Sequence, residues 1–212
     1  MKSDFILGLE EAIKNKLPGN RAHQRMISYS RPSAEVVKTL NANPRRSAVL
    51  ILLHQKEGKW SFPLIKRQAY NGVHSKQIGL PGGKYENIDE NLANTSLRET
   101  EEELGVSASR INLLGSLSEI YIPPSNFLVK PFIGFVEGKF DYKPDEVEVD
   151  RIIETSLHDF LALPIVKRDK FIKDGNYRAE VSSFIVDEEV AWGATAMMLS
   201  EFKMVIEENS LL

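Results

Sequence analysis

Near the start of the chain, Phe5, Leu9, Ile13 and Leu17 recur at four-residue spacing, with Asp4, Glu10 and Glu11 between them. That pattern predicts an amphipathic helix closing onto a protein body. Residues 16–44 are polar and basic and are broken by Pro18 and Pro32. They read as an irregular surface arm with a short helix around residues 34–40. At Ser47 the pattern changes. Residues 47–54 are apolar at both parities, as expected of a central strand covered on both faces. Glu57-Gly58-Lys59 predicts a hairpin turn, with residues 60–67 as the returning strand. Residues 70–76 form a polar loop, and residues 77–80 lead into Pro81-Gly82-Gly83.

Helical periodicity runs through residues 89–104, and Gly105 follows the last turn where a C-terminal cap is expected. Further strands are expected at 111–120, 128–136 and 181–186. A short helix is expected near 157–163 and a last one over 194–208. Strands and helices are interspersed without a regular βαβ rhythm, and the chain has no internal repeat. The fold class is α/β, a sandwich around a mixed β-sheet.

A length of 212 residues suits one domain with an appended terminal helix. The formal net charge of −3 lacks the basic excess of a phosphate-backbone binder, so no nucleic-acid partner is expected. Cysteine is absent, which removes thiolate metal sites, disulfides and cysteine nucleophiles together. The longest apolar run, residues 48–53, is far short of the roughly 20 residues a spanning helix needs. No membrane association is expected, the N-terminal pattern is not that of a secretory signal, and the expected location is the cytoplasm.

Candidate chemistry lies between Gly82 and Val106. On a helix at about 100° per residue, Ala93, Leu97, Thr100 and Leu104 share the side expected to be buried. Glu99, Glu102 and Glu103 cluster on the other side, expected to be the far one. Four glutamates occupy the five positions 99–103, with only Arg98 adjacent to balance them. Like charges one turn apart repel. A hard divalent cation such as Mg²⁺ relieves that repulsion, because it takes carboxylate oxygens and shares them with substrate phosphates. A solvated acidic face is the alternative, but no lysine stands four residues after any of the three. The glycine turn leading into the helix also offers backbone amides to an anion.

Gly83, six residues, Glu90, seven residues, and then Arg98-Glu99-Thr100-Glu101-Glu102-Glu103-Leu104-Gly105-Val106 resembles the Nudix box. One residue more than usual separates Gly83 from Glu90, a length similar to that of the coenzyme A pyrophosphatase branch. Thr100 stands where a larger apolar residue is common. Leu64-Ile65-Lys66-Arg67, Leu80-Pro81-Gly82-Gly83 and Trp192-Gly193-Ala194-Thr195-Ala196 also resemble elements of that branch. Gly72 and Lys76 depart from it, standing where the branch has an Arg and a Gly.

The resemblance, which covers roughly residues 45–205, implies a Nudix-type α/β/α sandwich with residues 45–212 as the hydrolase domain. Residues 1–44, which it does not explain, read from their own pattern as a helix and irregular arm packed on the core. The resemblance implies a pyrophosphohydrolase using Mg²⁺ or Mn²⁺, with a small-molecule nucleotide as partner. Glu99 and Glu103 would be metal ligands, and Glu102 a third ligand or the water-orienting base. Glu148, found by counting back from Glu154 and Leu157, is the candidate for a further catalytic carboxylate, with Glu119 behind it. Arg67, Gly82, Gly83 and Lys84 would contact substrate, with Lys66 a further cation, and Glu90 and Arg98 would support the site. Substrates in order of expectation are CoA or acyl-CoA, then ADP-ribose, NADH or another dinucleotide. A nucleotide sensor without turnover is the third reading.

Several residues are given lesser roles. His74 is a candidate phosphate contact or a plain loop residue, while His23, His54 and His158 show no ligand spacing and read as structural or solvated. Tyr121 and Phe127 are candidates to stack on adenine, and Trp192 reads as a packing anchor. A homodimer through the N-terminal helix is compatible with the pattern.

Overall fold

The computed structural model describes residues 3–27, 32–39, 43–69, 76–172 and 177–212, with backbone only at 170–172 and 177–179. The two-sided apolar run becomes β1 (Arg45–Lys56), and its neighbours place it at the centre of the sheet. Along one side β7 (Phe127–Val136) runs parallel to it, from Arg45 opposite Phe127 to Leu53 opposite Phe135. The other side is shared. Residues Ser47 to Val49 pair antiparallel with β4 (Gly82–Lys84), and His54 to Lys56 pair with β2 (Lys59–Arg67). Between those two partners the Leu50 amide donates to the Pro81 carbonyl at 2.9 Å. The glycine turn therefore sits where β1 changes partners. β2 also pairs with β3 (Ile78–Gly79) and β8 (Val149–Ser156), and β7 with β5 (Ile111–Ser116) and β6 (Ile120–Ile122).

Alternation along β1 sorts the core into two layers. Leu50 and Leu52 pack with Leu104, Val106, Ile111 and Val136, beneath α4 (Leu92–Leu104). Ile51 and Leu53 pack on the opposite face with Met197 and Phe202 of α6 (Gly193–Glu208). α1 (Asp4–Lys14) joins this second layer through Phe5, Ile6, Leu9, Ala12 and Ile13. Phe62 meets Phe160 and Phe202 edge-on, at 5.3 and 6.0 Å between centroids. Such pairs add about 0.5–1.5 kcal/mol each beyond the area they bury. The result is the α/β/α sandwich expected from the sequence.

The arm is more ordered than its composition suggests. α3 (Ala34–Thr39) lies where a short helix is expected, but α2 (Asn20–Gln24) is an addition. Five residues without a side-chain cap do not form a stable helix alone. Here α6 grips them. Glu201 accepts from the Gly19 amide at 3.0 Å and lies 3.0 Å from His23 Nε2, and Ser200 Oγ donates to the Ala22 carbonyl.

Other boundaries differ from expectation. Residues 111–120 are two strands rather than one, because the register shifts between Leu113 and Gly115 and the Ser118 amide turns to Glu201. The helix expected from residue 89 starts at Leu92, where the Asn91 side chain accepts from the Asn94 amide and caps it. β8 was not expected. Residues 181–186 are the end of the longer β10 (Tyr177–Val186), which forms a separate sheet with β9 (Val166–Ile172) and β11 (Glu189–Trp192). α5 (Leu157–Ala162) is close to expectation. Of the polar loop at 70–76, only Lys76 lies within the described residues. No described helix is long and apolar enough to cross a membrane.

Candidate active site

Gly82 opens β4 with a φ of +146°, and a Cβ there would fall 2.3 Å from the Ala48 carbonyl oxygen. Only glycine brings backbone this close to β1. Its amide donates to Glu103 Oε2 at 2.7 Å. Arg67, at the end of β2, donates to the Gly82 carbonyl at 3.0 Å and to Glu103 Oε1 at 3.3 Å. One guanidinium and one carboxylate thus tie β2, β4 and α4 together. Glu103 is 1% exposed. Burial pushes its carboxyl up to about 7, against the pull of Arg67 and the Gly82 amide, and the nearby charges of Glu99 and Glu148 add to the rise.

Glu99, one turn earlier, lies against the glycine strand so closely that a Cβ on Gly83 would come within 2.4 Å of its carboxylate. Burial raises its pKa, Arg98 opposes the rise, and Glu102 and Glu148 reinforce it. Glu148 is exposed and lies on the loop before β8, where its carbonyl accepts from the Gln68 amide at 2.9 Å. Its charge adds to the rise at both helix glutamates, and its loop lies against the end of α4, where the Asp145 amide donates to the Glu103 carbonyl at 3.4 Å.

Arg98 organises the opposite flank. Its Nη1 is 3.0 Å from Glu99 and 2.9 Å from Glu102. Its Nε and Nη2 donate to the two oxygens of Asp89 at 2.9 and 3.0 Å, and Nη2 also reaches the Lys84 carbonyl. Asp89 is buried and held down to about 2, first by Arg98 and also by hydrogen bonds from the Glu86 amide and the Thr95 hydroxyl, against the effect of burial.

The structure thus brings Arg67, Gly82, Gly83, Glu99, Glu103 and Glu148 together, with Glu102 beside them on Arg98. Three expectations change. Glu103 points inward although helical periodicity put it on the far face with Glu99 and Glu102. Thr95, Ser96, Thr100, Glu103 and Leu104 are the buried residues of α4, and Ala93 and Leu97 are only partly covered. The donors from Arg67 and Gly82 make that burial tolerable. Glu90, expected to support the box, is exposed, and its neighbour Asp89 makes the contacts instead. The only signal for Asp89 in the sequence was its adjacency to the box glutamate. Lys84 contributes its carbonyl, while its side chain is exposed.

Residues with lesser roles are also placed. Lys66 is paired with Glu189 at 2.6 Å, and Glu119 with Lys38 and Arg46. His23 and His54 are buried against Glu201 and Glu154, and His158 is exposed beside Asp159. Tyr121 donates to Asn126 Oδ1, and the Arg45 guanidinium lies 4.1 Å over the Phe127 ring. Trp192 is half-buried at the start of α6. His74 and Gly72 lie outside the described residues.

Carboxylate oxygens are hard donors, and the mutual repulsion of Glu99, Glu103 and Glu148 is the environment a divalent cation relieves. Donor chemistry and charge therefore fit a divalent metal ion. Among the described residues no three acidic or histidine side chains close into a ready ligand cage. Arg98 offsets part of the charge of Glu99 and Glu102.

Residues 44–174 match the family model described as the NUDIX domain, and the chain belongs to that family. Over 160 residues it is 31% identical to the uncharacterized Nudix hydrolase NudL of Yersinia pestis (strain Pestoides F), covering 75% of this chain and 78% of that one. The protein of the same name from Yersinia pseudotuberculosis serotype O:1b (strain IP 31758) matches to the same extent. Among solved structures, a MutT/nudix family protein from Enterococcus faecalis aligns with a TM-score of 0.51 at 16% identity, over 78% of this chain and 63% of its own. That likeness bears on the fold.

Proposed function

We propose that this Nudix hydrolase is a divalent-metal-dependent pyrophosphohydrolase whose substrate is CoA or an acyl-CoA, cleaved to 3′,5′-ADP and (acyl-)phosphopantetheine. The observation that carries the finer reading is where the branch-like segments outside the box come to rest. Arg67 binds the Gly82 carbonyl, and Thr195 of the Trp-Gly-Ala-Thr-Ala segment donates to the Ile78 carbonyl at 3.3 Å. Both segments thus bear on the β3–β4 segment that carries the glycine turn. Lys76, where the branch has glycine, has a left-handed φ of +57°. A lysine holds that conformation at a cost of about 1–2 kcal/mol, which a glycine would not bear.

In this reading Glu99 and Glu103, with Glu102 as a further ligand or water-orienting group, would hold the cation. Mg²⁺ or Mn²⁺ bound there would make a water more acidic and offset charge on the pyrophosphate. Arg67 keeps Glu103 and the Gly82 carbonyl fixed, and Arg98, anchored on Asp89, orients Glu99 and Glu102. Glu148 takes the proton of the water that attacks phosphorus, and the phosphoanhydride P–O bond breaks. Gly82 and Gly83 admit the phosphates close to backbone, and Lys84 supplies a cation at the rim.

Mass spectrometry of products tests the reading, after incubation with Mg²⁺ and competing CoA, acetyl-CoA, dephospho-CoA, NADH and ADP-ribose. Preferential release of 3′,5′-ADP is expected. Gly72 replaces the second Arg of the branch's motif and so removes a cation for the CoA 3′-phosphate, which favours a dinucleotide as the second reading. AMP release with CoA left intact would establish it. Persistence of every substrate, with Mn²⁺ as well, would leave the sensor.

A further inference from the structure

Glu148 reaches the glutamate cluster from a loop. A loop holds a carboxylate in a productive place only if its backbone is fixed by other groups. Here both ends are fixed. The Gln68 amide, next to Arg67 in sequence, donates to the Glu148 carbonyl, and Gln68 Nε2 donates to the Glu146 carbonyl at 3.0 Å. Asp145 gathers the turn, since its side chain accepts from the Val147 amide at 2.7 Å and its carbonyl from Glu148 and Val149.

On the other side the loop closes the end of α4. The Lys143 amide donates to the Leu104 carbonyl at 2.9 Å, and the Asp145 amide to the Glu103 carbonyl at 3.4 Å. The contact is so tight that a Cβ on Gly105 would lie 2.7 Å from Lys143. The loop therefore takes two of the last carbonyls of the catalytic helix.

One residue before Lys143, the Tyr142 hydroxyl enters a buried polar group. It lies 2.9 Å from His54 Nε2 and donates to Glu154 Oε1 at 3.4 Å. His54 is 4% exposed on β1, and its Nε2 is 2.5 Å from Glu154 Oε1. Phe140 packs edge-on against both rings, at 5.1 and 5.0 Å. Glu154 is fixed in turn by Lys56 at 3.0 Å. β1 and β8 thus hold the start of the loop through the Tyr142 hydroxyl, beside the packing of the Phe140 and Tyr142 rings on His54.

We propose that Tyr142, through its contact with the His54–Glu154 pair, is a positioning residue for Glu148, fixing the loop on the end of α4 so that this carboxylate faces Glu99 and Glu103. The inference rests on the assignment of Glu148 to the reaction.

Tyr142→Phe keeps the ring and removes only the hydroxyl. It is expected to lower kcat about 10- to 100-fold, as displacements of about an ångström do, with KM little changed. In a cycle with Glu148→Gln, the double variant is expected to be no slower than Glu148→Gln alone. Multiplying losses, or a Tyr142→Phe enzyme with wild-type kcat, would overturn the proposal. Hydrogen exchange reads the same brace without turnover. The amides of Gln68, Glu148 and Val149 should exchange at least tenfold faster in Tyr142→Phe, with α6 unchanged. Equal protection in both proteins refutes the brace. A wild-type protein without any hydrolase activity would defeat the functional reading and leave this exchange result to decide the brace.

Discussion

Two glutamates, Glu103 in α4 and Glu201 in α6, are almost wholly removed from solvent, at 1% and 0% exposure. Their surroundings are opposite. Among the described residues, the groups bonded to Glu201 are donors: the Gly19 and Ser118 amides, the Ser118 hydroxyl and His23. Burial alone would raise its pKa, and those bonds turn the shift downward. Glu103 has Arg67 and the Gly82 amide, but it also faces Glu99 and Glu148, and its pKa rises to about 7. A carboxylate saturated with donors holds elements together. One crowded by its own kind is less fully compensated, and groups of that kind cluster at functional sites.

The largest expected effect lies on the structural side. Glu201→Ala leaves His23 and Ser118 without their partner and releases α2 from α6. Breaking a buried pair in this way costs about 3–5 kcal/mol, read as a shift in the urea midpoint. A loss below about 1 kcal/mol would remove Glu201 from the structural role. On the functional side, Glu103→Gln should leave the fold intact and cut kcat by about 10²- to 10³-fold, the usual scale for removing one group that stabilises transition-state charge. Wild-type turnover in that variant would end the assignment of Glu103 as a ligand.

The same pair separates on a pH scale. Glu201 has a lowered folded pKa, so its contribution is complete above the ordinary value of 4.5 and is lost as pH falls through the lowered one. Glu103 has a raised folded pKa, so the native state holds a proton that the unfolded chain has released. Its effect is a loss of stability as pH rises from about 4.5 to about 7. Wild type and Glu103→Gln should be equally stable near pH 4.5. At pH 8 the glutamine variant should be the more stable, by about 3 kcal/mol. Mn²⁺ at pH 8 should stabilise wild type and not the variant. Parallel stability curves would show that the burial of Glu103 carries no cost.

Much of this was readable from the sequence. The two-sided run of β1, the glycine after α4 and the amphipathic α1 each follow from local chemistry, and the box spacing pointed to the family. Periodicity failed at Glu103 because it sorts residues by polarity. What makes the buried carboxylate tolerable comes from Arg67 and Gly82, 36 and 21 residues away. Periodicity likewise could not name the partners of His23 and His54, whose carboxylates lie 178 and about 100 residues further along the chain. β4 escaped notice because Gly-Gly-Lys has no strand pattern of its own and pairs only because β1 is there.

The smallest effects sharpen the rule where two acids stand side by side. Asp89 is buried and meets Arg98 with both oxygens, while Glu90 is exposed. Asp89→Asn removes the charge opposite a guanidinium that also holds Glu99 and Glu102. Charged hydrogen bonds of this kind contribute about 1.5–3 kcal/mol, and partial solvent access to Arg98 brings the expected loss to about 1 kcal/mol. Since Asp89 is held down to about 2, that contribution should be constant above pH 4 and fade only as pH falls toward 2. Glu90→Gln should stay within about 0.5 kcal/mol of wild type, as exposed substitutions do. Resemblance to the box favours Glu90, whereas the contacts favour Asp89. A Glu90→Gln loss exceeding that of Asp89→Asn would mean that the box glutamate acts through contacts other than those to Arg98.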